Sequence, residues 1–151
     1  MKGTTAGTSR LGTKLLADVR SLQRKVLTMK LEAAQIANGS VELLGEVSKS
    51  KITGEEERYS HVDLVDFEAN VDGAKAAYDS VRSIVAADDP ALAKRIDARF
   101  AAVATALGPY RRGNGFVSYT ELNNEDTRAL SRGIDALAEP LSQVGAIVVS
   151  G

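Results

Sequence analysis

The sequence predicts an all-α protein, an up-and-down bundle of four to five helices. Apolar residues recur at spacings of three and four along most of the chain, which is the period of one helix face. Alanine is abundant and aromatic residues make up only 5% of the chain, a balance that favours close-packed helices over a sheet sandwich. At 151 residues the chain has the length of about one domain.

Two helices are predicted before residue 50. Residues 1–9 are small and polar and are predicted to form a flexible leader, so that residues 10–151 make the single bundle domain. The first helix runs to about Lys30 and the second spans the region around Asn38 and Gly39. Their predicted inward residues are Leu11, Leu15, Val19, Leu22, Val26 and Met29, then Ala33, Ile36 or Ala37, Val41, Leu44 and Val47.

The third helix is predicted to be unusually long, from Gly54 or Glu55 to about Ala87. Thr53 and Glu56 have the spacing of a capping box at its start. Gly73 is a small residue that allows a neighbouring helix to approach closely, and Asn70 is a candidate buried amide. The predicted inward residues are Leu64, Phe67, Val71, Ala74, Tyr78, Val81 and Val85.

Two further helices follow. Asp88, Asp89 and Pro90 supply an N-cap followed by proline at the first helical position of the fourth helix. After the loop 108–123, the fifth helix begins near Asn124 and is expected to kink at Pro140. The predicted inward residues are Leu92, Ile96, Phe100, Val103 and Leu107, then Leu130, Ile134, Leu137, Leu141, Val144 and Val148.

Composition excludes several classes of function. The net charge of -1 provides no field that would attract nucleic acid, and no apolar run is long enough for a membrane span. The first residues contain no signal peptide pattern. Because the chain has no cysteine and one histidine, thiolate metal sites and histidine-rich zinc sites are excluded, and no phosphate loop or metalloprotease motif occurs.

His61 is the first candidate for chemistry, because histidine is both a neutral-pH acid or base and a common metal ligand. Glu57 precedes it by four residues, so the two side chains would share one face of the predicted helix and could hold a metal ion together. Two ligands do not complete a site, and a surface histidine beside a carboxylate is the alternative interpretation. Asp63, Asp66 and Asn70 are predicted to line a polar, solvated stripe, with an oxygen-lined surface for a cation or sugar as the alternative.

The loop 108–123 is the second candidate. It brings together Tyr110, Arg111, Arg112 and Tyr119, with Gly113, Asn114 and Gly115 at its turn. Aromatic rings and cations suit a carbohydrate or an anionic polymer. An ordinary cap on the bundle, with Phe116, Val117 and Tyr119 tucked beneath it, is the alternative interpretation.

Four stretches of the chain resemble the imelysin-like domain of EfeO- and EfeM-type bacterial iron uptake proteins. The longest is ITGEEERYSHVDLVDFEANVDGAKAAYDSV, with KLEAAQIANGSVELLGEVSKSK before it and DPALAKRIDARFAAV and YRRGNGFVSYTELNNEDTRALSRGIDALAEPLSQV after it. The resemblance is collinear from about Leu11 to Val148. It implies the second half of an all-helical double bundle.

The resemblance also implies a function. Proteins of this family are extracytoplasmic, or periplasmic, and act in ferrous iron uptake with a membrane permease and a haem-peroxidase-like protein. The family's His-x-x-Glu metal motif belongs to its first bundle, and here the histidine begins His61-Val62-Asp63-Leu64, so the motif is absent. We therefore expect a truncated domain in which Glu57 and His61 are auxiliary ligands for iron, zinc or copper.

The sequence leads to a non-enzymatic iron uptake component as the main interpretation. The partner of the bundle is expected to be the missing first bundle or a second copy, because half of a double bundle exposes apolar surface. The alternative is a polysaccharide-binding module of the same fold, like its alginate-binding relatives, in which Tyr110, Arg111, Arg112 and Tyr119 bind the ligand. Peptidase activity, suggested by the name imelysin, is the third interpretation.

Overall fold

The computed structural model describes residues 8–49 and 59–150. These residues contain six α-helices, α1 Thr8–Thr28, α2 Ala33–Lys49, α3 Asp63–Asp88, α4 Pro90–Leu107, α5 Asn124–Leu141 and α6 Val144–Ser150. A two-stranded antiparallel hairpin, β1 Arg111–Arg112 and β2 Gly115–Phe116, lies between α4 and α5. The predicted all-α fold is confirmed.

The chain divides into two units, one that ends at Leu31 and one that begins at Glu32. The first unit contains α1, a helix of 21 residues with no buried side chain. Most of the predicted leader 1–9 lies outside the described residues, and Thr8 and Ser9 already belong to α1. The predicted first helix is therefore present, beginning slightly earlier and ending at Thr28, but its six predicted inward residues are all exposed.

The second unit is a helical bundle around one apolar core. α3 packs against α2 and α4, α5 packs against α4 and α2, and α6 lies against α2 and α3. Four helices thus surround the core and α6 covers one side. The buried apolar residues are Ala37, Leu44, Val47, Leu64, Phe67, Val71, Ala74, Tyr78, Val81, Val85, Leu92, Ala93, Ile96, Phe100, Val103, Leu107, Leu130, Ile134, Leu137, Leu141 and Val144.

The apolar spacing of α3 and α4 predicted this core correctly. All seven inward residues expected for α3 and all five expected for α4 are buried. Gly73 also has its predicted role, since a Cβ atom at this position would lie 3.2 Å from Leu43 Cδ1 on α2. Asn70 is half-buried and its side-chain amide donates to the Asp66 carbonyl at 2.8 Å.

The start of α3 differs from the prediction. The helix begins at Asp63 rather than at Gly54 or Glu55, because His61 has a φ of 55°, in the left-handed region that interrupts a right-handed helix. The proposed capping box of Thr53 and Glu56 lies outside the described residues. A second correction concerns Asp63, which was placed on a solvated stripe and is fully buried instead.

The end of the predicted fifth helix also differs. Pro140 does not kink a single helix that continues to Val148, because α5 ends one residue later and α6 begins at Val144. The chain turns at Ser142 and Gln143, whose backbone N–H groups donate to the carbonyls of Ala138 and Pro140.

The N-cap of α4 is formed as predicted. The Asp89 carboxylate accepts hydrogen bonds from the backbone N–H groups of Ala91 at 3.0 Å and Leu92 at 2.8 Å, and Pro90 occupies the first helical turn. We expect Asp89→Ala to lower the free energy of unfolding by about 1 kcal/mol, the usual cost of losing such a cap. Urea titration followed by circular dichroism measures this change. Asp88→Ala, which removes the neighbouring exposed carboxylate without removing the cap bonds, is the control; an equal loss in both variants contradicts the assignment.

Candidate functional site

His61 and the loop 108–123 lie at one end of the bundle, near the start of α3. The backbone N–H of Tyr119 donates to the carbonyl of His61 at 3.0 Å. The sequence treated His61 and Tyr119 as members of separate sites. In the structure the two residues are neighbours. The sequence had predicted metal binding by the His61 side chain and carbohydrate binding by the Tyr119 side chain.

His61 lies outside α3 and is partly exposed. Glu57 and His61 share one helical face only if both residues are helical, and His61 is not. Glu57 lies outside the described residues. Within residues 8–49 and 59–150, no three histidine, cysteine, aspartate or glutamate residues are grouped closely enough to hold a metal ion. Metal binding by Glu57 and His61 therefore stays a prediction.

The hairpin is held against α3 by Arg111. Its guanidinium forms an ion pair with Glu68 on α3, and it also lies 4.9 Å from the centre of the Phe116 ring on the opposite strand. Gly113 has a φ of 56°, the left-handed conformation that lets the chain reverse between β1 and β2. These contacts fix the loop as a cap over this end of the bundle.

The two tyrosines of the loop are also engaged inside the protein. The Tyr110 hydroxyl donates to Asp126 on α5 at 2.9 Å, and burial together with this bond raises the pKa of Tyr110. Burial raises the pKa of Tyr119 to about 12, with a further contribution from the negative charge of Asp63. Arg112 is exposed. The contacts of Tyr110, Arg111 and Tyr119 favour a structural role for the loop, and its predicted binding of polysaccharide is untested.

Asp63 is the residue at this end that the sequence analysis misjudged. It is fully buried in the first turn of α3, where a negative charge interacts favourably with the helix dipole. The negative charge of Asp63 contributes to the raised pKa of Tyr119, although Tyr119 lies more than fifty positions later in the chain. Only the burial of the loop against α3 creates this arrangement, so no local sequence pattern indicated it.

A second polar contact connects α3 and α4. The Arg82 guanidinium donates three hydrogen bonds to the Asp97 carboxylate, with the shortest at 2.5 Å, and this contact lowers the pKa of Asp97. Both side chains are more than one third exposed, so the pair contributes little to stability. It orients the two helices at their surface rather than forming a pocket for chemistry.

The raised tyrosine pKa values predict unfolding in alkali. Burial holds Tyr78 and Tyr119 neutral, with pKa values of about 12 against an ordinary value of 10.0. Their contribution to stability is complete below pH 10 and is lost as the pH rises towards 12, because the unfolded chain releases its protons first. We expect the free energy of unfolding to fall over this range, and to fall less steeply in Tyr119→Phe.

The control for this prediction is Tyr59→Phe. Tyr59 is 94% exposed, so Tyr59→Phe removes a tyrosine hydroxyl without disturbing a buried contact. Urea titrations at a series of alkaline pH values measure the slopes of the three proteins. Equal slopes for wild type and Tyr119→Phe would show that Tyr119 ionises alike in the folded and unfolded states.

The described residues contain no helix that is both long and apolar enough to cross a membrane. Residues 4–144 match the model of the peptidase M75 family, Imelysin. The chain is 39% identical over 145 residues to the protein named iron uptake system component EfeO of Escherichia coli O1:K1, Escherichia coli K12 and Shigella flexneri. Each alignment covers 96% of this chain and 39% of the relative, so the chain spans well under half of the relatives' length.

Proposed function

The chain belongs to the imelysin family, and we propose that it is the part of a bacterial iron uptake component that forms one wall of its metal-binding cleft. The observation that carries this proposal is the 39% identity to EfeO, which extends over nearly the whole of this chain. An alignment over 96% of this chain supports a shared role better than any single residue does.

The proposed role is non-enzymatic. EfeO is named as an uptake component, whereas the family name refers to a peptidase. A hydrolase requires an activated nucleophile or an activated water, and among the described residues His61 has no cluster of acidic or histidine ligands around it. We expect purified protein to leave casein intact; cleavage that follows the protein through purification would overturn this part of the proposal.

We further propose that the role is carried out outside the cytoplasm, together with a permease and a haem-peroxidase-like protein. The metal ion is then the cargo of the system. Glu57 and His61 are proposed as auxiliary ligands, with the principal ligands supplied by a region corresponding to the part of EfeO beyond the alignment. This chain alone is expected to bind metal weakly, because a stable site requires three or four donors.

Calorimetric titration tests the auxiliary ligands. Ferrous, ferric, zinc and copper ions are titrated into the wild-type chain, and we expect weak binding that His61→Ala reduces further. Val62→Ala is the matched control, because Val62 is an exposed neighbour that carries no donor atom. Absence of heat above the buffer blank for all four ions would exclude direct binding by this chain.

The uptake role itself is tested in a chimera. The matched segment of the Escherichia coli K12 EfeO is replaced by this chain and expressed in a strain that lacks its own EfeO. We expect growth on limiting ferrous iron to be restored, because the aligned segment is proposed to do the same work in both proteins. An exported, protease-resistant chimera that fails to restore growth would contradict the proposal.

A further inference from the structure

Helix α1 carries an unusual apolar stripe. Five residues of α1, and Met29 just beyond its end, recur at spacings of three and four, and between 53% and 68% of the surface of each is exposed. They are Leu11, Leu15, Val19, Leu22, Val26 and Met29. Isolated helices of this length are marginally stable in water and gain most of their stability from packing of an apolar face. The stripe therefore requires a partner surface.

The arrangement of the stripe identifies that surface as another helix. Val19 and Val26 recur at an interval of seven residues, and so do Leu15, Leu22 and Met29. These are the a and d positions of a heptad repeat, the pattern by which helices pair in coiled coils. Asp18 and Lys25 flank this seam at g positions, where charged residues set the partner and orientation of coiled-coil helices.

We propose that α1 pairs with α1 of a second copy of the chain in an antiparallel, two-stranded coiled coil. In this register Val19 faces Leu22 of the second copy, and Leu15 faces Val26. Each of the two valines meets a leucine, so the four central layers of the seam are filled from both chains. The two-fold axis passes between Val19 and Leu22, which makes the contact self-complementary and closed.

Charge determines the orientation. α1 contains five basic residues and one acidic residue, Asp18, which already forms an ion pair with Lys14 on the same helix at 2.5 Å. In the antiparallel register Asp18 also faces Lys25 of the second copy, and this contact occurs twice. In a parallel pair Asp18 would instead face Gln23 of the second copy, so both attractive contacts would be lost. The antiparallel pair is therefore favoured.

Sedimentation equilibrium of the full chain over a range of concentrations tests the pairing. We expect a reversible dimer, and we expect Val19→Asp combined with Leu22→Asp to be monomeric at every concentration. Ala17→Asp is the matched control, because Ala17 lies on the opposite face of α1 and is also exposed. Circular dichroism and urea unfolding confirm that the α2–α6 bundle is intact in each variant.

Charge reversal tests the register. Asp18→Lys is expected to raise the dimer dissociation constant about tenfold, since two attractive contacts become repulsive. Adding Lys25→Asp to the same chain restores contacts between opposite charges. The dimer dissociation constant should then return to its wild-type value. A dissociation constant that Asp18→Lys leaves unchanged, or that the double variant fails to recover, would contradict the antiparallel contact.

Engineered cysteines give an independent measure of orientation, because the chain has no cysteine of its own. A mixture of Leu15→Cys and Val26→Cys chains should form a disulfide between unlike chains. Leu22→Cys alone should cross-link poorly in the antiparallel dimer and readily in a parallel one. The inference, which does not depend on the role in iron uptake, is overturned by a monomer at all concentrations, by a parallel pattern, or by α1 binding anionic lipid vesicles without dimer formation.

Discussion

Replacement of Tyr78 by alanine is expected to lower the free energy of unfolding of the α2–α6 bundle by about 3–5 kcal/mol, the cost of truncating a buried aromatic residue. Tyr78 is fully buried on α3. Its ring is stacked against Phe100 on α4 with centroids 5.9 Å apart, and its hydroxyl donates to the Ala93 carbonyl at 3.3 Å. The substitution leaves a cavity between the two helices and removes both contacts.

Two controls separate these contributions. Tyr78→Phe keeps the ring and loses only the hydroxyl, so we expect a loss of about 1 kcal/mol. Val65→Ala changes an exposed residue of the same helix and should alter stability by less than about 0.5 kcal/mol. Urea titration followed by circular dichroism measures all three. A loss for Tyr78→Ala as small as that for Tyr78→Phe would show that α3 and α4 do not pack around this ring.

The close approach of α2 and α3 gives the second large effect. A side chain at position 73 would meet Leu43, whose Cδ1 atom lies 3.2 Å from the place of its Cβ. We expect Gly73→Leu to lower the free energy of unfolding by about 1–3 kcal/mol, because overpacking forces the helices or the rotamers to move. Thermal and urea unfolding measure the loss.

Gly133 on α5 is the matched glycine. A Cβ at this position would lie 3.8 Å from Val103 Cγ2, an ordinary contact, so Gly133→Ala should stabilise the bundle by up to about 1 kcal/mol through helix propensity.

Leu43→Ala is expected to relieve the clash in Gly73→Leu, so that the double variant loses less stability than the sum of the two single losses. Strict additivity would show that residues 43 and 73 do not meet.

Local patterns predicted those parts of the fold that depend on local physics. The spacing of Leu64, Phe67 and Val71 identified the buried face of α3, and Asp89 with Pro90 identified the start of α4. Each of these two patterns lies within a short stretch of sequence and does not depend on distant residues. Gly73 was also predicted correctly as a position where a neighbouring helix approaches closely, because glycine has no Cβ to keep that helix away.

The errors have a common cause in contacts between distant residues. The charged segment before Asp63 has the composition of a helix, yet His61 adopts a left-handed conformation while its carbonyl accepts a hydrogen bond from Tyr119. Asp63 looked like a surface carboxylate because its neighbours in sequence are polar. Its burial and its effect on Tyr119 arise only when the loop 108–123 folds against α3.

The same limit applies to the candidate site. Sequence reasoning selected His61 and Tyr119 by their chemistry, and both do lie at one end of the bundle. It could not anticipate that Arg111 and Tyr110 would be engaged by Glu68 and Asp126, because those partners lie on α3 and α5. The loop is consequently better explained as a cap than the sequence alone suggested.

The initial rate of radiolabelled ferrous iron uptake tests the central proposal most directly. Cells that lack EfeO are supplied with the chimera that carries this chain in place of the matched segment, and with intact EfeO for comparison. We predict a rate well above that of the deletion strain and reduced by His61→Ala within the chimera. A folded, exported chimera whose cells take up iron no faster than the deletion strain would contradict a role for this chain in iron uptake.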